Sequence, residues 1–402
     1  MSQAIQELVE ADRRCLDAAE FFLGSLPVHP SPSGLRRFEE ALEQARATDP
    51  PLHTPFESLF RRHLTACWNL LETFVRYRFD RSRTPVEELL QALAGPDARE
   101  ELETYLRDTD PERSWRYLTL RERYRADRVP SERAGPLLNE TTTKLMEALR
   151  DWLPEQDLDF PELDAVVEVG ATGRPSCFQP ERQRVVLNPG DFMVFERRGR
   201  VSVNPVIALR SLFHELLGHG VQHVLSRDLP APLRPEDRAA VRHATLPSAE
   251  GFGALATTLA VPFAEARGES FGLQADDLEY LRLMVEFTGL HHAPLALAQL
   301  LVVRSSQDRT FDPATHLERR LGHPGYSELL ATTDAEPINR LLYQSSCFFG
   351  FERMKRLAGE LSGGGMERSG IWTTLGRGAW ALSCLSDAAL ELSVDPIREP
   401  GP

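Results

Sequence analysis

The segment Phe213-His214-Glu215-Leu216-Leu217-Gly218-His219-Gly220-Val221-Gln222-His223 sets two histidines around a glutamate, and Ala249-Glu250-Gly251-Phe252-Gly253 follows downstream. Neutral imidazoles and one carboxylate are the usual protein ligands of a catalytic zinc. The fourth position stays open to a water whose pKa the ion lowers to about 7. A glutamate directly after the first ligand histidine can take a proton from that water and pass it to a leaving amine. The pattern predicts His214, His219 and Glu250 as ligands of one zinc per chain and Glu215 as the general base. Glu250 alone would read more simply as a first-turn carboxylate on a helix dipole. The competing view of the motif is a pair of ordinary, partly buried histidines with Glu215 on a solvated face. Glu250 in a Glu-Gly segment that starts a helix weighs against that view.

The spacing carries a structural demand. Histidines four apart lie about 40° from alignment on a helix of 3.6 residues per turn, but His214 and His219 are five apart, which a regular helix turns to about 140°. The motif therefore requires one extra residue bulged out of the helix, with Gly218 best able to take the strain. His219 and His223 have the regular spacing, but Gly220 follows His219, so that pair lacks an adjacent glutamate.

Residues 1–155 show helical periodicity: Ile5 to Leu23, Phe56 to Phe79 and Thr141 to Leu153 are expected as amphipathic helices. They form a scaffold or lid region, broken at Pro27–Pro32, Asp49-Pro50-Pro51 and near Pro136. Residues 156–402 are expected to hold the zinc site, in one compact unit with the N-terminal helices. β-branched runs at Ala165–Val169 and Arg184–Asn188 predict strands. Pro205 suits the first turn of the motif helix. Helices are expected beyond Glu250 over Gly251–Glu265, Asp276–Phe287, Ala293–Val303, Ile338–Leu361 and Trp380–Leu392.

The chain has 402 residues, 42% hydrophobic and 26% charged, as in an ordinary soluble protein, and can bury a large core. A net charge of −14 offers no basic field for nucleic acid or an anionic membrane. The first residues lack a charged segment leading into an apolar one, and no apolar run is long enough to span a bilayer. Together with five cysteines without paired spacing, read as reduced thiols, this predicts a cytoplasmic protein. Oligomeric state is not encoded in any legible pattern.

From Val167 to Leu361 the chain resembles the bacterial proteins of domain of unknown function 885, which look like helical zinc metallopeptidases of the glutamate-zincin type. His214, Glu215, Gly218, His219 and Gln222 match that family's His-Glu-x-x-Pro-Gly-His-His-x-Gln, without its proline and with Gly220 for the second histidine of the doublet. Glu250-Gly251-Phe252-Gly253 matches its Glu-Gly-Trp-Ala, and Phe287-Thr288-Gly289-Leu290-His291 its Asp-Thr-Gly-Leu-His. Its Tyr-Tyr-x-Pro is Cys177-Phe178-Gln179-Pro180 here, and the tyrosine of its late Tyr-x-x-Gly is Cys347. Two smaller likenesses exist. His-Glu-Leu-Leu-Gly-His is similar to the dipeptidyl-peptidase III hexapeptide, and the His219-to-Glu250 spacing is similar to that of tubulin tyrosine carboxypeptidases.

The resemblance implies a mostly α, zincin-like metallopeptidase fold with a small β-sheet beside the metal-binding helix. It also implies oxyanion donors. With the tyrosines replaced, His291, His292 and Tyr343 are the candidates for that role, His291 and Tyr343 entering the catalytic set. Cys347 is expected as a buried small residue rather than a nucleophile. The expected function is hydrolysis of a peptide or related amide, with extended substrate pairing with a strand such as Arg184–Asn188. The alternatives are a zinc-binding scaffold without turnover and a hydrolase of a non-peptide amide or ester.

Overall fold

The computed structural model describes residues 1–23, 31–80, 84–108, 134–156, 166–171, 174–197, 200–235, 244–286 and 337–394, with 112, 116, 117, 119–122, 158, 292, 293, 295–297 and 300. These residues are mostly helical. The N-terminal helices are α1 (Gln3–Leu23), α2 (Pro32–Ala47), α3 (Pro55–Phe79), α4 (Val86–Ala94), α5 (Ala98–Asp108) and α6 (Gly135–Trp152). The three helices expected from periodicity are α1, α3 and α6. The others are shorter or rich in Glu and Arg, and their apolar positions form too brief a pattern to stand out.

Helix α3 is the axis of this region. Its buried residues, among them Leu59, Phe60, Leu64, Trp68, Leu71 and Phe74, recur at three and four positions along one face. Its start is fixed by a capping box: the Glu57 amide donates to Thr54 Oγ1 at 3.1 Å, and the Thr54 amide donates to Glu57 Oε2 at 3.0 Å. Helix α1 packs on α2 and α3. One continuous hydrophobic cluster runs from Ile5 through α3 to Leu392.

The strands form two small sheets. β1 (Val166–Val169), β2 (Cys177–Gln179) and β3 (Arg184–Leu187) lie in the order β1-β3-β2, with β1 parallel and β2 antiparallel to β3. β4 (Met193–Arg197) and β5 (Arg200–Asn204) make an antiparallel pair. The expected exposed strand at Arg184–Asn188 is therefore central: both sides of β3 are already hydrogen-bonded, and Val185 and Leu187 are fully buried. No added chain can pair with it. Among the described residues, β2 is the edge strand that contacts the motif helix.

A continuous helical rod follows, made of α7 (Val206–Leu212), a π-helical segment (Phe213–Gly220) and α8 (Val221–Leu225), with helical backbone at both junctions. Pro205 stands just outside as the cap, its carbonyl accepting from the Leu209 amide at 2.7 Å. Next come α9 (Leu246–Thr257), α10 (Ala260–Arg267), α11 (Ala275–Glu286), α12 (Pro337–Gly363), α13 (Arg368–Gly376) and α14 (Leu385–Val394). Two expectations are corrected. The helix expected to begin at Gly251 begins at Leu246 and breaks after Thr257, so Glu250 sits in the second turn. The helix expected from Trp380 starts only at Leu385. Gly378 turns at φ +90°, and the Trp380 and Ala381 amides are bound by Ser248 Oγ and His63 Nδ1 instead of a helical ladder. Phe287 and the break at 27–30 lie outside the described residues, as does most of the helix expected at Ala293–Val303.

Candidate metal centre

The bulge that the five-residue spacing requires is present. Across Phe213–Gly220 the rod winds as a π-helix, whose i→i+5 hydrogen bonding returns residues five apart to one face. His214 and His219 therefore stand side by side, ring centroids 4.8 Å apart and planes at 87°. Gly218 serves a different purpose from the one expected. Its φ is not in the left-handed region; a Cβ there would meet Gly253 Cα at 2.5 Å. The glycine lets α9 approach the rod backbone to backbone.

In helix α9, Glu250 is followed by Gly251 and Gly253, which face opposite ways because two residues turn about 200° on a helix. A Cβ on Gly253 would strike the His214 ring at 2.7 Å, and one on Gly251 would strike the Gly350 carbonyl of α12 at 2.4 Å. From the other side, a Cβ on Gly350 would sit 1.8 Å from the Pro247 carbonyl oxygen. Helix α9 is thus clamped between the rod and α12, with glycines at both crossings. That closeness carries the Glu250 carboxylate to the histidines.

His214, His219 and Glu250 each offer a ligand atom, all within 4.8 Å of one another, and His214 Nε2 lies 3.5 Å from Glu250 Oε2. Ligand atoms about 2.0–2.1 Å from a tetrahedral zinc are roughly 3.3 Å apart. The donor set and its spacing fit that ion. His223 does not join them: its Nε2 is 3.2 Å from Gln183 Nε2, and its ring packs 5.5 Å from that of Phe178. Among the described residues, the His214–His219–Glu250 group is the cluster able to hold a metal. One feature departs from common zinc sites, in which the second ring nitrogen is hydrogen-bonded. His214 Nδ1 is buried with no partner among the described residues.

The charges of the cluster favour each other. Burial opposes ionisation of Glu250, but the imidazoles of His214, His219 and His292 overcome it and hold the carboxyl down at about 2. Burial likewise disfavours the His214 imidazolium, yet Glu250 and Glu215 raise its pKa above the usual histidine value.

Glu215 is 9% exposed, and its Oε2 accepts from the Phe178 amide of β2 at 2.9 Å. Phe178 thus contributes its backbone and not its side chain. A second tether holds sheet and rod together: Asp191 Oδ2 accepts from Ser176 Oγ at 2.7 Å and from Ser211 Oγ at 2.6 Å.

Helix α12 lays Tyr343, Cys347 and Gly350 along one stripe. The Cys347 thiol is buried and 3.9 Å from Glu250 Oε2. Burial and the Glu250 charge push its pKa well up, so it is a protonated donor to that carboxylate. Tyr343, one turn earlier, is 43% exposed and edge-on to the His292 ring at 6.4 Å. The Glu250 charge and burial raise its hydroxyl pKa. His291 lies outside the described residues. His292 is described: its Nδ1 contacts Gln344 Oε1, and burial lowers its pKa to about 4.

No family model matches the chain, and no curated protein matches it. One solved structure is similar, the crystal structure of a protein titled "putative lipoprotein" from Colwellia psychrerythraea. It aligns with 94% of this chain and 69% of its own, at a TM-score of 0.43 and 12% identity. A likeness this distant carries no argument about activity.

Sequence reasoning did not single out Arg210. It lies one helical turn before His214, and its charge bears on His214, His292, Tyr343 and Cys347. The signal was an arginine four residues before the first ligand on the same helix.

Proposed function

We propose that the chain is a zinc-dependent hydrolase of a peptide or related amide, with the zincin-like architecture that the motif resemblance implies. The observation that carries this reading is the convergence of His214, His219 and Glu250 within 4.8 Å beside a tethered Glu215. A zinc ion held by this set supplies a water pKa near 7 and a polarised carbonyl.

The chain's own residues do the rest. Glu215 accepts one proton from the attacking water and returns it to the leaving amine. One water is consumed: its oxygen joins the carbonyl carbon as the C–N bond breaks. The Phe178 amide orients Glu215 through one carboxylate oxygen and leaves the other for the proton. Tyr343 and His291 are the proposed donors to the developing oxyanion. With β3 occupied on both sides, β2 is the strand against which extended substrate would lie. The five cysteines are free thiols, and no described helix is long and apolar enough to cross a membrane. A cytoplasmic location is part of the same proposal.

Elemental analysis of protein purified without added metal tests the ligand set. About one zinc per chain is expected, lost in both His214→Ala and Glu250→Ala; zinc that survives Glu250→Ala would sink the assignment. Glu215→Gln is expected to keep the metal and lose turnover by about 10²–10⁴-fold. A zinc-binding scaffold without turnover is the second reading, favoured by the burial of Cys347 where the family tyrosine would place a hydroxyl. In that case Glu215→Gln would leave partner binding unchanged.

A further inference from the structure

On the rod, the residues around Arg210 are closed off: Ala208, Leu209, Ser211 and Leu212 are buried. Ile207, Arg210, His214 and His219 remain partly open and descend one face. The spacing from Arg210 to His214 is four, so their side chains are neighbours about one turn apart, roughly 5.4 Å along the axis. Arg210 has no ion-pair or side-chain hydrogen-bond partner among the described residues, although Glu250 lies on the adjoining helix. Elsewhere arginines pair with carboxylates, as Arg353 does with Glu101 at 3.0 Å and Arg377 with Asp228 at 2.9 Å. A planar, permanently charged fork on the helix face that carries the metal ligands, and left without a carboxylate, is suited to accept one from outside.

The place of Arg210 on the rod favours one carboxylate over others. In a chain cleaved at its last residue, the terminal carboxylate lies about one residue, at most roughly 3.6 Å, beyond the scissile carbonyl. Arg210 stands one helical turn before the first metal ligand and its charge reaches His214, His292 and Tyr343, so it is placed to serve a carboxylate that lies beside the scissile carbonyl.

We propose that Arg210 binds the free α-carboxylate of the substrate, so that the substrates are short peptides or N-acyl amino acids with the scissile amide next to that carboxylate. This rests on the zinc-hydrolase reading for the chemistry, but the binding role stands on its own. Glu215 returns its proton to the amine of the released amino acid while Arg210 holds the carboxylate of that same product. The net charge of −14 makes a built cation at the site more telling, because the molecule as a whole repels anions.

Calorimetric binding separates the two ideas. The probes are N-acetyl derivatives of alanine, leucine, phenylalanine and glutamate, each as free acid and as C-terminal amide. They are titrated into the full chain as purified and after metal removal. For at least one pair, the acid is expected to bind about tenfold or more tightly than the amide. Arg210→Gln should abolish that preference with zinc content unchanged, and Arg210→Lys should restore part of it. Equal binding of acid and amide throughout, or a preference that survives Arg210→Gln, overturns the proposal. An Arg210-dependent preference in protein that never holds zinc keeps the clamp and removes the hydrolase reading. Zinc retained with no acid preference does the reverse.

Discussion

The N-terminal helices and the metal-bearing helices solve the same packing problem in opposite ways. Around α3 the helices are held apart by large side chains, with Phe60, Leu64, Trp68 and Phe74 filling the space between axes. Around α9 they are drawn together by missing ones: Gly218 against Gly253 on one side, and Gly251 and Gly350 on the other. In the first arrangement the cost of a change is the volume it empties, and neighbours relax in part. In the second, backbone meets backbone and nothing can rotate away. The lesson is that precision at the site comes from contacts without side chains, because a carboxylate must arrive within about 3.5 Å of an imidazole.

The comparison breaks most sharply at Gly350. A methyl there would lie 1.8 Å from the Pro247 carbonyl oxygen, a fixed atom in the first turn of α9. Gly350→Ala is expected to force α9 and α12 apart, and with them Glu250. The expected outcome is loss of stoichiometric zinc together with a large fall in melting temperature, or no folded protein at all. Retention of one zinc per chain and an unchanged melting temperature would show that the seam does not set the site.

Leu64→Ala probes the other kind of packing. Leu64 is fully buried in α3, and its truncation should cost about 2–5 kcal/mol in denaturant unfolding. Zinc per folded chain should stay the same, because Leu64 is not among the atoms nearest the glycines of the α9 seam. A drop in zinc content at full folding would show that the scaffold, and not only the glycine seam, positions the ligands.

His292 sits near Glu250, His214 and Arg210, bound to Gln344, with burial as the largest cause of a pKa near 4. The unfolded chain binds this proton below about pH 6.5, the folded chain only below about 4. Its neutral form thus contributes full stability above 6.5, and that contribution is lost as pH falls from 6.5 to 4. The amount is about 3 kcal/mol. Thermal unfolding of metal-free protein across that range should show the loss, and His292→Gln should flatten it. An unchanged slope in the variant would assign the acid sensitivity to other groups.

Much of the site was legible because chemistry constrains residue type. The five-residue histidine spacing required a bulge, and the π-helical segment supplies it. Glu215 and Glu250 were legible for the same reason. What was not legible came from tertiary approach. Gly218 looked like a point of conformational freedom and is a point of contact. Phe178 contributes an amide, which no side-chain pattern can announce. β3 had the composition of a free strand but is central, because composition does not reveal which neighbours pair. In the N-terminal region the long periodic helices α1, α3 and α6 were readable, and the two-turn and charge-rich ones were not.

Thr54→Ala removes one side of the α3 capping box and should cost about 1 kcal/mol, read in denaturant unfolding, with zinc content untouched. A larger loss would mean that the entry of α3 also fixes the segment before it, since the His53 amide also donates to Glu57 at 2.6 Å.

The smallest effect sharpens the contrast within a single helix. Gly359 lies two and a half turns beyond Gly350 on α12, and a Cβ there would meet nothing within 4 Å. With no contact to lose, Gly359→Ala should act through the unfolded chain and through helix propensity, stabilising the protein by roughly 0.5–1 kcal/mol. Zinc content should not change. The pair Gly350→Ala and Gly359→Ala thus places the same substitution in the same helix with opposite signs. If both destabilised, the penalty at Gly350 would belong to α12 itself, and the seam with α9 would lose its claim to position Glu250.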